Sequence, residues 1–477
     1  MPWWLYNFLY MNILLLNPPG KKLYVRDYYC SKTSKANYIY HPIDLLLLSG
    51  ILASRHNVDL IDAIVERLSP DDCLNRIANK RPDAIIALTG AVSIKEDISF
   101  FEKLKKRSGN IPIYVSGDIL MEDGAEFLKK VDCVEGIILD FTSNEILKLL
   151  DGIQGLFGTI IYKNGNSIVG NTGKFLRGEF NLPIPKYELF LRNKYTYPFI
   201  NSSPFATVLT DYGCPYRCSF CIMGTLPYKY RSVENIMEEL EYVHSLGMKE
   251  IYFGDQTFGI ARKRTIEICQ KMIEKRFGFG WVCFSRVDIT DEDILKIMRE
   301  AGCHTLIYGV ETGSDELLKQ YGKDISKEML KKTFTLCKKN GINTVGTFLL
   351  GLPEDNRKSI LKTIEFSKEL DCDYASFNVY VPRMNTSLRE EVLKMGLISA
   401  DVKVMDQSGS YSIIGTKYLS SAEVLKLKNK AVRDFYLRPR YIIRRLSRLK
   451  SREDIMREVR GGLGVLKDIV AGFYRKE

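Results

Sequence analysis

From residue 11 to about residue 150, short apolar runs alternate with stretches whose apolar residues recur every three or four positions. The runs predict strands at 12–17, 58–63, 83–88, 111–115 and 133–139, and the amphipathic stretches predict helices at 44–53, 71–79, 94–107 and 125–130. Such alternation is the pattern of an α/β fold with a Rossmann-like, doubly wound parallel sheet. Ligands in these sheets bind at the carboxyl ends of the strands, where the topology switches. Asn17-Pro18-Pro19-Gly20, Thr89-Gly90 and Ser116-Gly117-Asp118 are the loops at those ends. Residues 159–169 read as a hairpin turning on Asn164-Gly165, and Leu182-Pro183-Ile184-Pro185 as an extended linker that closes a first domain, 11–182.

A second run starts near Phe205. Its strands are expected at 206–210, 250–253, 279–285, 305–310, 343–349 and 374–379, with helices at 233–246, 263–275, 291–301, 327–340 and 355–370 between them. Six strand–helix units make either an open doubly wound sheet or a partial barrel, and periodicity does not choose between these. This second domain spans 195–395, and 396–477 reads as a helical, basic extension.

Composition narrows the class. Of 477 residues, 45% are hydrophobic and 27% charged, ordinary values for a globular chain, and the length favours two or three domains. No apolar run approaches the roughly 20 residues of a membrane-spanning helix. The first ten residues are apolar but lack the basic start and small-residue cleavage site of a signal peptide, so Met1 and Met11 both stand as starts. Eleven Cys without such a signal point to a reducing, cytoplasmic setting rather than a disulfide framework. The net charge of +11 is uneven, since residues 431–477 carry 13 Lys and Arg against 6 Asp and Glu. Residues 435–450 interleave basic and apolar side chains, which fits a helix packed on the body with a solvated basic face. Peripheral membrane contact ranks second and a nucleic-acid surface third.

The chemistry concentrates in Asp211-Tyr-Gly-Cys-Pro-Tyr-Arg-Cys-Ser-Phe-Cys221, where Cys214, Cys218 and Cys221 form a C-x3-C-x2-C triad. Three thiolates hold a cubane iron–sulfur cluster only by leaving its fourth iron without a protein ligand. A zinc site would show a second C-x2-C or H-x3-H pair, and the sequence has none. The other eight Cys show no ligand spacing and read as small core residues.

The triad, with Phe220 before its last Cys, resembles the signature of radical S-adenosylmethionine (SAM) enzymes. The resemblance implies a partial (β/α)6 barrel over the second domain, a 4Fe–4S cluster on the three Cys, and SAM on the open iron. By the same resemblance Gly254 and Asp255 lie near the amino group of SAM, Arg286 near its carboxylate, and Glu311 near its ribose and amino acid parts. Gly346 and Gly351 resemble the segment against adenine. From the residues alone Asp255 also reads as a helix N-cap, and Arg286 and Glu311 as a salt bridge.

The first domain looks like the cobalamin-binding domain that precedes many such barrels. None of the four His (41, 56, 244, 304) stands in an Asp-x-His-x-x-Gly motif, so a domain that keeps the fold without the cofactor is the rival reading. The string Ala431 to Tyr441 is similar to the branch of the anaerobic magnesium-protoporphyrin ester cyclase and hopanoid-modifying enzymes. The expectation is therefore a radical SAM enzyme acting on an unactivated carbon by cobalamin-dependent methyl transfer. The alternatives are a cobalamin-independent oxidoreductase or cyclase, and a non-catalytic iron–sulfur sensor or scaffold. A tRNA-modifying methylthiotransferase fits less well, because the C-terminal segment lacks the strand pattern of a terminal RNA-binding barrel. Expected partners are a small-molecule, lipid-like substrate and a reduced flavodoxin- or ferredoxin-type donor, without nucleic acid.

Overall fold

The computed structural model describes residues 10–447 apart from 28–29, 35–37, 172, 174, 403–405 and 407–411. The start-site question and the tail beyond residue 447 lie outside the described residues. The chain forms two compact units, one of Met1–Thr33, Ile39–Tyr195 and Lys229–Leu246, the other of Ser34–Tyr38, Thr196–Tyr228 and Gly247–Glu477.

In chain order the first unit contains β1 (Asn12–Asn17), β2 (Tyr24–Val25), β3 (Lys32–Thr33), α1 (Ile43–Ala53), β4 (Asn57–Asp62), α2 (Pro70–Lys80), β5 (Ala84–Leu88), α3 (Ile94–Ser108), β6 (Ile113–Ser116), α4 (Leu120–Lys130), β7 (Gly136–Ile138), α5 (Glu145–Leu150), β8 (Ile160–Asn164), β9 (Ser167–Val169), β10 (Gly178–Phe180) and α6 (Tyr187–Phe190). Among the described residues seven strands form one sheet in the order β4-β1-β5-β6-β7-β8-β9. Pairing is parallel through β7 and antiparallel from β7 to β9. β5 is buried along its whole length, as a parallel strand covered on both faces must be, which is why it reads as an unbroken apolar run. The expected Rossmann-like sheet is therefore present, with the Asn164-Gly165 hairpin at its edge.

The chain runs from β1 out to β4 and then back across to β5, so the topology switches between β1 and β5. The crevice at their carboxyl ends is filled from within. Arg26, from β2 onward, reaches Asp97 of α3 at 2.6 Å, and neither side chain has any exposure. Its guanidinium also donates to Asn17 Oδ1 and the Pro18 carbonyl, at 2.9 and 2.8 Å. Next to it, Ser31 donates through its amide and hydroxyl to Asp118 beyond β6.

Two later elements return to this unit, β13 (Lys229–Arg231) and α7 (Val233–Ser245). β13 pairs in parallel with β10. Asn235 of α7 bonds both the amide and the carbonyl of Leu182, and Glu239 accepts from the Tyr187 hydroxyl. The stretch 182–186 is thus a strap packed on this unit. Lys186 N reaches Ser49 Oγ, and Gly50 leaves room for the carbonyls of Pro183 and Ile184.

The second unit holds β11 (Phe205–Val208), β12 (Asp211–Tyr212), β14 (Glu250–Phe253), α8 (Arg262–Glu274), β15 (Gly280–Ser285), α9 (Glu292–Glu300), β16 (Cys303–Glu311), α10 (Asp315–Gln320), α11 (Lys327–Lys339), β17 (Asn343–Leu350), α12 (Arg357–Glu369), β18 (Tyr374–Val379), α13 (Ser387–Lys394), α14 (Ser421–Tyr436) and α15 (Pro439–Ser447). Its main sheet runs β11-β14-β15-β16-β17-β18, parallel throughout. Each strand lies beside its predecessor and the order never reverses. That winding is a partial barrel, not a doubly wound sheet, and it resolves the choice that periodicity left open. The buried Trp281 anchors its floor, with the indole donating to the Ala301 carbonyl at 2.8 Å.

Among the described residues the C-terminal segment carries two helices, α14 and α15, and α15 is turned inside out. Tyr441 and Arg444 bond the backbone carbonyls of Asp373 and Cys372, and Arg445 bonds the Tyr374 hydroxyl. Its apolar residues face outward, with Ile442, Ile443 and Leu446 exposed by 42%, 66% and 60%. Among the described residues no helix is long and apolar enough to cross a membrane.

Candidate active site

The carboxyl ends of barrel strands gather most of the residues that the sequence singled out. After β11 the backbone must turn sharply, and Gly213 makes the turn at φ +73°. A Cβ there would lie 2.6 Å from the Pro227 carbonyl oxygen, so both the conformation and the space require glycine. The loop that follows carries Cys214, Cys218 and Cys221. It is pinned on two sides, by Ser219 N to the Tyr321 carbonyl at 3.0 Å and by Leu388 N to the Ser219 carbonyl at 3.1 Å. Phe220 packs against the apolar cluster of Leu317, Tyr321, Leu352 and Leu388. That contact makes it part of the loop's footing.

The three thiols are free and lie near one another. Burial pushes the Cys221 thiol up to about 12, and the neighbouring Cys218 and Cys214 add to the rise. Cys218 is raised as well, first by burial, with Lys323 and Arg286 pulling the other way. Thiols arranged like this ionise together only when a cation compensates them, which is what a metal cluster does. Among the described residues no three His, Cys, Asp or Glu close on a single metal ion. Three thiols on one loop suit a cubane, which takes three protein ligands and keeps one iron open.

Asp255, beyond β14, is fully buried and bonds the start of the loop. It accepts from Thr210 N at 2.6 Å, Thr210 Oγ1 at 2.5 Å and Asp211 N at 2.9 Å. It caps no helix, since α8 begins at Arg262 behind Ala261. Asp211 itself is pushed up to about 7 by burial and by Asp255, while its contact with Arg264 opposes the rise. Gly254 donates to the Val208 carbonyl, and Thr257 brings its hydroxyl to 3.6 Å from Cys214 Sγ.

Arg286, beyond β15, does not pair with Glu311. Its Nε and Nη2 bond the two oxygens of Asp288 at 2.9 and 3.0 Å, and Nη2 also bonds the Lys323 carbonyl at 2.8 Å. Its Nη1 lies 3.8 Å from Cys218 Sγ, and the guanidinium stacks 3.7 Å from the centre of the Tyr216 ring. Glu311 ends β16 at φ +64°, where the register with β17 shifts, an unusual conformation for a residue with a side chain. Lys323, buried, meets its carboxylate at 3.0 Å. Gly309 leaves the space for this pair, because a Cβ there would stand 2.3 Å from Glu311 Oε1.

The structure thus brings the three Cys, Arg286 and Glu311 together, and adds Lys323, Thr257, Tyr216 and Asp288, which the sequence reading missed. Tyr216 sits inside the triad and was open to notice, whereas Lys323 lies in no motif. Gly351 turns at φ +81° just past β17, with its amide on Asp355. Gly346 is internal to β17, and a Cβ there would face Phe348 and Cys372 of its own unit.

A partial parallel barrel with a three-thiol loop after its first strand defines an iron–sulfur enzyme class. Residues 208–367 match the family model described as the radical SAM superfamily. An uncharacterized methyltransferase of Pyrococcus horikoshii is 29% identical over 84% of this chain and 89% of its own length. The anaerobic magnesium-protoporphyrin IX monomethyl ester cyclase of Rubrivivax gelatinosus is 25% identical, covering 78% of this chain and 69% of the cyclase. The solved structure of the radical SAM methyltransferase TsrM from Kitasatospora setae, with cobalamin and a 4Fe–4S cluster bound, superposes with a TM-score of 0.68. The match covers 98% of this chain and all of TsrM at 15% identity, which makes it a likeness of fold.

Proposed function

We propose that this chain is a radical SAM enzyme that functionalises an unactivated carbon, and that cobalamin-dependent methyl transfer is its reaction. One observation carries the radical SAM reading: Cys214, Cys218 and Cys221 on a loop pinned at the carboxyl end of the first barrel strand. These thiolates would hold the 4Fe–4S cluster. When bound, the cluster with SAM on its open iron supplies one-electron cleavage of the sulfonium. Glu311 and Lys323 offer a carboxylate and an ammonium beside the loop, charges that match the amino and carboxylate groups of an amino acid. Asp255 fixes the first turn of the loop through the backbone of Thr210 and Asp211.

The test is anaerobic reconstitution followed by reduction with dithionite in the presence of SAM. Formation of 5′-deoxyadenosine, abolished in Cys218→Ala, is the expected result. A full cluster without SAM cleavage would sink the reading and favour a sensor or scaffold.

For cobalamin the fit rests on the sheet and on the TsrM-like fold. No His of the chain stands in an Asp-x-His-x-x-Gly motif. His41, at the start of α1, is buried against the rings of Tyr195 and Phe190, and burial pushes it down to about 3. The filling of the β1–β5 crevice by Arg26 and Asp97 favours the second reading, a cobalamin-independent oxidoreductase or cyclase. Corrinoid content after reconstitution separates the two. The outward apolar face of α15 also supports peripheral contact with a membrane surface.

A further inference from the structure

Arg286 has five N–H groups, and the structure accounts for four of them. Nε and one N–H of Nη2 grip Asp288, the second N–H of Nη2 bonds the Lys323 carbonyl, and one N–H of Nη1 points at Cys218 Sγ. A carboxylate is clamped best by two parallel N–H groups on one edge of the guanidinium. The Nε–Nη2 edge is taken by Asp288, and the Nη1–Nη2 edge lacks a free Nη2 hydrogen. Stacking on Tyr216 keeps the plane from turning to expose another edge. The resemblance to the family placed this residue near the carboxylate of SAM, yet its geometry leaves a single N–H for such a contact.

We propose that Arg286 acts on the cluster instead, as a positioning residue that donates a charge-assisted hydrogen bond to the Cys218 thiolate and raises the cluster's reduction potential. This rests on the reading that Cys218 is a cluster ligand. Hydrogen bonds and positive charge at a ligating sulfur stabilise the more negative, reduced cluster more than the oxidised one. The cluster gains one electron from a low-potential donor, and nothing else in this step changes hands. Tyr216 and Asp288 serve it by fixing the guanidinium, and the Thr257 hydroxyl has a comparable relation to Cys214.

The experiment compares wild type, Arg286→Met, Arg286→Lys and Asp288→Asn after reconstitution. Iron and sulfide contents are read first, and a wild type that binds no cluster would defeat the underlying reading. The potential without SAM is then measured by EPR-monitored potentiometry, and SAM affinity by equilibrium binding. Arg286→Met should shift the reduction equilibrium at least tenfold toward the oxidised cluster, about 59 mV for a one-electron couple. Asp288→Asn loosens the guanidinium but also removes a negative charge beside it, so its shift should be the smaller of the two, and SAM affinity should change less than threefold in both. An unmoved potential with weakened SAM binding would return Arg286 to the carboxylate and overturn the proposal. Cluster loss in all three variants would also overturn it, by making Arg286 a prop of the loop.

Discussion

Replacing Gly213 by alanine should damage the cluster loop more than any ordinary glycine substitution in the same unit. At φ +73° an alanine carries about 1–2 kcal/mol of left-handed strain. Its Cβ would also stand 2.6 Å from the Pro227 oxygen and 3.2 Å from the carbon, both backbone atoms that cannot rotate away. Relieving that overlap costs a further ~1–3 kcal/mol, typical of overpacking. Gly247 is the matched control, because its φ is +77° and nothing lies within 4 Å of its Cβ position. Both variants should lose the strain energy, and only Gly213→Ala should lose the rest. At ~2–4 °C per kcal/mol, Gly213→Ala should melt roughly 2–12 °C below Gly247→Ala in anaerobic scans at one heating rate. It should also bind less iron, since relief of the clash moves Cys214. Equal melting of the two variants together with wild-type iron content would refute the reasoning.

Two further outcomes follow from other parts of the chain. Asp62 is buried beside Tyr195 and Asn17, and burial pushes its carboxyl up to about 6. A raised folded value stabilises the fold fully below the unfolded value and loses that stabilisation as the pH rises through about 6. The advantage of wild type over Asp62→Asn in urea should therefore shrink by ~2 kcal/mol between pH 4 and pH 7; a pH-independent difference would contradict this. For α15, Ile443→Asp should abolish cosedimentation with phosphatidylglycerol vesicles while leaving thermal stability unchanged, because Ile443 is exposed. Binding that persists in the variant would place the membrane contact elsewhere or dismiss it.

Strand positions were legible wherever burial was continuous. β5 and β14 are buried along their full length, and hydrophobic runs recorded them without help from distant residues. The pairing of β10 with β13 was not legible, since three-residue strands about 50 positions apart leave no periodic trace. The same contrast holds at the site. The thiol triad is local in sequence and could be read directly. The commitments of its neighbours are not: Asp255 bonds backbone 45 positions earlier, and Arg286 is held by a carbonyl 37 positions later. A sequence shows that such residues are charged and placed at strand ends. Which hydrogen bonds remain free for a ligand depends on contacts that only folding creates.

The return of β13 and α7 to the first unit limits how the molecule can be divided. A chain begun at residue 195 would still carry Arg231 and Glu239, an ion pair with no exposure on either side chain. It would lack Tyr187, whose hydroxyl bonds Glu239, and Leu182, whose backbone engages Asn235. A chain ended at residue 195 would keep β10 without its partner β13. Neither half is a self-sufficient folding unit, so recombination or truncation at a single point leaves both pieces with unsatisfied buried polar groups. The thiol loop lies between the crossings, at 214–221, so the segment that carries it is joined at both ends to residues of the first unit.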